Sequence, residues 1–162
     1  KAVYKSIIEY IFKRKTISEE IKMEKFIGIL GLSLCMILCG AGSAFGLYKT
    51  GSAAAGVLSE DNKKFSKIIV LALLPATQGI YGFVLAVMKI GAIAQGWTLF
   101  GAMLGLGVTG MLSAVLQGIT ASSCIYAIGK NPAGSGKYVL FPAMIEFYAI
   151  LSLVLGIMIP VA

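Results

Sequence analysis

Four long stretches of this chain are almost free of charge, and that leaves few folds open to it. Residues 26–48, 68–88 and 90–129 contain no Asp, Glu, Lys or Arg, and residues 138–162 contain only Glu146. A helix needs roughly 20 apolar residues to cross a hydrocarbon core about 30 Å thick, so these runs predict four membrane-spanning helices. With 58% hydrophobic residues, 13% charged and a mean hydropathy of +0.90, a soluble domain would have almost nothing to show to water. The expected class is an all-α, multi-pass protein of the cell membrane. The third run is 40 residues long and could hold two spans. Gln95, Gly96, Trp97 and Thr98 read as a turn with an interfacial aromatic, which leaves about 30 residues for one long helix.

The charges sit between these runs. Lys49, Lys63, Lys64, Lys67, Lys89, Lys130 and Lys137 flank turn-forming stretches such as "SEDNKK" and "KNPAGSGK", which join the spans into two helical hairpins. Four crossings put both termini on one side. The 1–2 and 3–4 loops share the other side with six lysines against two acids, and the positive-inside rule assigns them to the cytoplasm. Residues 1–25 hold seven further basic residues and four acids, which works against that assignment. This tail reads as an interfacial amphipathic helix, since Tyr4, Ile7, Ile8 and Ile11 share a face and Thr16 with Glu19 could cap a second short helix. A cleaved signal is the alternative, though the apolar stretch is short and broken. The chain thus divides into a tail (1–25), a first hairpin (26–90) and a second hairpin (91–162).

Shifting the sequence by 67 positions aligns "LLPATQGIYG" (73–82) with "LFPAMIEFYA" (140–149), pairing Pro75 with Pro142 and Tyr81 with Tyr148. The second and fourth spans therefore read as copies of one ancestor. In this register Gly79 stands opposite Glu146, so only one half has a carboxylate. The paired prolines each remove a helical hydrogen bond at membrane depth, where something must satisfy the freed carbonyls. Glycine is concentrated in the first and third spans, including the one-turn pairs Gly42 with Gly46 and Gly101 with Gly105. Such pairs let transmembrane backbones touch. Two slim helices alternating with two bulky ones suit a closed ring that is narrow inside and wide outside.

The polar residues left inside the spans are few. An ionised Glu146 at membrane depth would cost on the order of 2.5–3.5 kcal/mol on insertion scales, so a carboxylate there points to function. Thr77, Gln78 and Tyr81 share a face of the second span, and Gln117 lies in the third. Oxygens and one carboxylate suit a small hard cation, while a proton would need only the carboxyl and one or two hydrogen-bond partners. The chain has no His, and Cys35, Cys39 and Cys124 lie in apolar stretches, so zinc and disulfides lack their donors and spacing. The cysteines read as small packing residues.

"LLPATQGIYGF", "LSAVLQG" and "MIEFYAIL" closely resemble the proteolipid subunit of bacterial sodium-pumping V-type ATPases, over residues 40–162. The resemblance implies a homo-oligomeric ring of identical four-helix subunits in the lipid bilayer, acting as a rotor, with Glu146 carrying one sodium ion per subunit. It further implies that the backbone carbonyl of Leu74, the hydroxyl of Thr77 and the side-chain oxygens of Gln78 and Gln117 complete the shell, with Tyr81 hydrogen-bonding Glu146. No phosphate-binding loop is present, so the chain has no catalytic site of its own and ATP hydrolysis belongs to partner subunits. Those partners are a central stalk docking at the 1–2 and 3–4 loops and a stator membrane subunit with a basic residue; no nucleic acid is implied. A proton-carrying ring and a stand-alone oligomeric channel are the competing expectations. The basic tail is longer than the family pattern.

Overall fold

A computed structural model describes residues 2–160; Lys1, Val161 and Ala162, at the ends of the tail and of the second hairpin, lie outside the described residues. Regular structure among the described residues is entirely helical, in six α-helices joined by short 3₁₀ turns. Helix α1 is Ala2–Glu60, α2 Phe65–Leu73, α3 Thr77–Lys89, α4 Gly96–Lys130, α5 Ser135–Tyr138 and α6 Leu140–Met158. They make four segments long and apolar enough to cross a membrane: Ile7–Glu60, Asn62–Ala92, Gly96–Lys130 and Pro132–Met158. The third uncharged run is one 35-residue helix. Its turn comes slightly earlier than the sequence suggests. The chain reverses over residues 90–95, while Gly96, Trp97 and Thr98 already form the first turn of α4, with Trp97 exposed.

The two prolines account for the breaks in the second and fourth spans. Pro75 has no N–H to donate to Leu71, and the helix tightens into the 3₁₀ turn Leu74–Ala76 that separates α2 from α3. Pro142 cannot donate to Tyr138, and there the helix is interrupted at Val139, between α5 and α6. Both loops on the opposite end from residues 90–95 are capped alike. Asp61 accepts from the Lys63 N–H at 3.0 Å, and Asn131 accepts from the Ala133 N–H at 3.2 Å.

The glycine-rich helices α1 and α4 form the centre of the bundle. At Gly42 a Cβ would stand 2.7 Å from the Met111 backbone, and at Gly46 the same distance from the Ala114 carbonyl, so only glycine permits this approach. Gly101 and Gly105 behave differently: a Cβ at either would meet nothing within 4 Å, so this pair lies on an open face of α4 instead of in the packing. Two apolar clusters fill the interior, one around Leu71, Ile125 and Ile128, the other around Cys35, Cys39, Leu85 and Leu106. All three cysteines are free, buried and part of these clusters. The outer faces of α3 and α6 expose Phe83, Val87, Phe147, Leu151 and Leu155, as a lipid-facing surface should.

The tail departs from the expected pair of short surface helices. It is continuous with the first span in a single 59-residue helix. The Thr16 hydroxyl donates back to the Phe12 carbonyl at 3.1 Å, a mid-helix bond that leaves no cap for a second helix. Gly96 packs against the Glu24 backbone, so residues before 24 rise beyond the start of α4 by about 30 Å at 1.5 Å per residue. Tyr4, Ile7, Ile8 and Ile11 are exposed on this extension.

Candidate ion-binding site

Three helices bring the polar residues together at the level of the prolines. The 3₁₀ turn at Pro75 sets the Leu74 carbonyl against the start of α3, where the Thr77 hydroxyl donates to it at 2.9 Å. Thr77 Oγ1 also lies 3.3 Å from Gln78 Oε1. A hydroxyl has one hydrogen, and the nearer Leu74 carbonyl takes it, so two oxygens with free lone pairs are left side by side. Gln78, fully buried on the next position of α3, turns toward α4 and donates through Nε2 to Gln117 Oε1 at 2.8 Å. Gln117 in turn donates through Nε2 to the Pro142 carbonyl at 3.1 Å and to Glu146 Oε2 at 3.4 Å. The other carboxylate oxygen, Oε1, accepts from the Tyr81 hydroxyl at 2.6 Å. Leu74, Thr77, Gln78, Tyr81, Gln117 and Glu146 thus form one connected network.

The amide orientations in this network follow from what each partner can do. The Pro142 carbonyl can only accept, so the Gln117 nitrogen faces it and the Gln117 oxygen faces Gln78. That oxygen also only accepts, which turns the Gln78 nitrogen toward it and the Gln78 oxygen toward Thr77. Every buried side-chain nitrogen and oxygen among the described residues has a partner, as a polar cluster in hydrocarbon requires. Glu146 receives donors at both oxygens, an arrangement suited to the charged carboxylate.

Three further polar residues support the cluster and were not singled out from the sequence. Thr50, fully buried on α1, donates to the Ala72 carbonyl at 2.7 Å, just before the Pro75 turn. Ser43 accepts from the Gly79 N–H at 2.8 Å. Ser113, one turn before Gln117 on α4, accepts from Gln78 Nε2 at 3.3 Å and donates to the Ile145 carbonyl at 3.0 Å. A sequence signal for two of them existed. Thr50 stands 67 positions before Gln117, the repeat register itself, and Ser113 shares Gln117's helical face.

Two transmembrane hairpins with a carboxylate inside the last span, hydrogen-bonded to the other spans, define a multi-pass membrane protein with a polar cluster buried among its helices. Residues 30–89 and 100–159 each match the family of the ATP synthase C subunit, one match per hairpin, and the chain belongs to that family of ring-forming rotary-ATPase proteolipids. It is 38% identical to the V-type sodium ATPase subunit K of Enterococcus hirae over 134 residues, covering 79% of this chain and 86% of that one. It is 37% identical to the A-type ATP synthase subunit K of Methanocaldococcus jannaschii, over 82% of this chain and 60% of that one. Identity to the 16 kDa proteolipid of the V-type proton ATPase of Rattus norvegicus is 31%, over 64% and 66% of the two chains.

Proposed function

We propose that this protein carries sodium at Glu146 around the rotor ring of a V-type ATPase, driven by ATP hydrolysis in soluble partner subunits. The observation that carries this reading is the hydrogen-bonded network by which polar groups of three helices are joined to a single membrane carboxylate. Leu74, Thr77, Gln78 and Gln117 supply neutral oxygens, and Glu146 supplies the charge that balances the cation. Tyr81, half-buried on α3, holds the carboxylate through its hydroxyl. The 38% identity to a sodium ATPase subunit supports the choice of ion.

The work of the cycle is electrostatic. Glu146 can face lipid only when a cation neutralises it, and it gives the ion up where a basic residue of a stator subunit and an aqueous half-channel meet the ring. The exposed Lys63, Lys67, Lys130 and Lys137 at the loop end of the bundle are the docking points for the central stalk. Lys64 serves the loop itself, donating to the Gly129 carbonyl at 3.0 Å.

The test is carbodiimide labelling of the assembled ring. The apolar reagent needs a protonated carboxyl in lipid, so Glu146 alone among the seven acids should react, and sodium at neutral pH should protect it. Labelling undiminished by sodium would instead assign the ring to protons. Labelling at Glu60 or Asp61 would remove Glu146 from the carrier role.

A further inference from the structure

The two glutamine oxygens are useful to a cation only if both amides keep one orientation, and one residue outside the proposed shell bears on that. Gln78 has two amide hydrogens. One goes to Gln117 Oε1 at 2.8 Å and the other to Ser113 Oγ at 3.3 Å. Ser113 is itself buried, and its single hydrogen is engaged by the Ile145 carbonyl at 3.0 Å. A carbonyl cannot donate, so the Ser113 hydroxyl must give its hydrogen to Ile145 and can only accept from Gln78. The chain of bonds therefore has a fixed direction, from the Gln78 amide through Ser113 to the backbone of α6, one residue before Glu146.

We infer that Ser113 is a positioning residue for cation selectivity: as a second acceptor beside Gln117 Oε1, it holds the Gln78 amide in place with its oxygen toward Thr77 and ties it to the helix carrying Glu146. The inference rests on the sodium reading of the site above. The hydrogen bonds of Ser113 go to Gln78 and to the α6 backbone, so its effect on the cation runs through those two. Without the hydroxyl, one buried Gln78 hydrogen loses its acceptor, and the amide, held by Gln117 Oε1 alone, shifts toward α6 and draws its oxygen off the cation. This shift does not alter the carboxyl's access to protons or to carbodiimide.

The experiment compares Ser113→Ala and Ser113→Cys with wild-type rings by sodium protection against carbodiimide. The thiol keeps the volume of the side chain but is a poor acceptor, so it separates hydrogen bonding from packing. Both variants should need about tenfold more sodium for half-protection, the scale of one lost buried hydrogen bond. The rate of labelling in the absence of sodium should stay at the wild-type value. Wild-type sodium dependence in the cysteine ring, with Glu146 still protected, would overturn the role of Ser113 and leave the sodium reading standing. Equal slowing of sodium-free labelling in both variants would assign Ser113 a merely structural part and overturn the inference too. Absence of sodium protection in the wild-type ring would overturn both. If the alanine variant does not assemble, the cysteine variant alone decides.

Discussion

The two hairpins are copies in sequence that do opposite things at corresponding positions. In the second, Glu146 is met by Tyr81 and Gln117, donors that come from the other spans. In the first, the matching position is Gly79, and its N–H is taken up by the Ser43 hydroxyl at 2.8 Å. A Cβ at Gly79 would stand 3.2 Å from that hydroxyl, so any side chain there would press on Ser43. Tyr81 and Tyr148 diverge in the same way, the first bonded to Glu146 and the second 70% exposed on the outer face of α6. The third matched pair is Thr50 and Gln117, both fully buried. Gln117 reaches into the cluster around Glu146, while Thr50 bonds the Ala72 carbonyl just before the proline break and lies against carbonyls of its own helix. In the proposed site one half holds the carboxylate, and the other supplies most of the neutral oxygens.

The comparison breaks most completely at the carboxylate. Glu146→Gln keeps the shape but gives up one acceptor and cannot balance a cation, so ion transport by the reconstituted complex should vanish while rings of native size still assemble. Loss of the ring on gel filtration would show that the second hairpin needs its carboxylate for structure.

Next in size is an attempt to restore the ancestral symmetry. Gly79→Glu presses a second carboxylate onto the Ser43 hydroxyl at membrane depth, at a cost of about 2.5–3.5 kcal/mol on insertion scales. The yield of assembled ring should drop sharply, and any ring recovered should show no second carboxyl protected by sodium. A second sodium-protected carboxyl would mean that the first hairpin has kept a working site.

The smallest effects distinguish Thr50 from Gln117. Gln117→Ala should raise the sodium needed for half-protection about ten- to hundredfold, on the scale of roughly 1.5–3 kcal/mol for a bond to a charged group. Thr50→Val should lower ring stability by about 1 kcal/mol, the worth of one neutral hydrogen bond, and leave the sodium dependence unchanged. Equal shifts in sodium dependence for the two variants would remove the distinction between carrier half and supporting half.

The first hairpin also braces the second away from the site. Lys89, buried at the end of α3, donates to the Ile157 carbonyl at 3.0 Å and the Ile159 carbonyl at 2.7 Å. A cation on the last carbonyls of a helix satisfies groups that have no partner within it and complements the dipole. In the sequence Lys89 reads only as a loop lysine.

Much of this was legible before any coordinates, because lipid imposes simple rules. Uncharged runs of about 20 residues must be helices, Glu146 stands out where every charge is costly, and the repeat register places Pro75 against Pro142. What the sequence did not decide was which contacts those residues make. Gly42 with Gly46 and Gly101 with Gly105 look alike on paper, yet only the first pair lies between α1 and α4, since spacing does not say which face of a helix meets a neighbour. Thr16 next to acidic residues reads as a helix start, yet the continuous α1 ladder leaves it nothing to cap. Ser43, Thr50 and Ser113 are ordinary small polar residues until the backbone carbonyl, amide or glutamine each one serves is brought beside it. Lipid penalises charge residue by residue, which a sequence records directly; hydrogen-bond partners lie on other helices, and only the packed bundle brings them within reach.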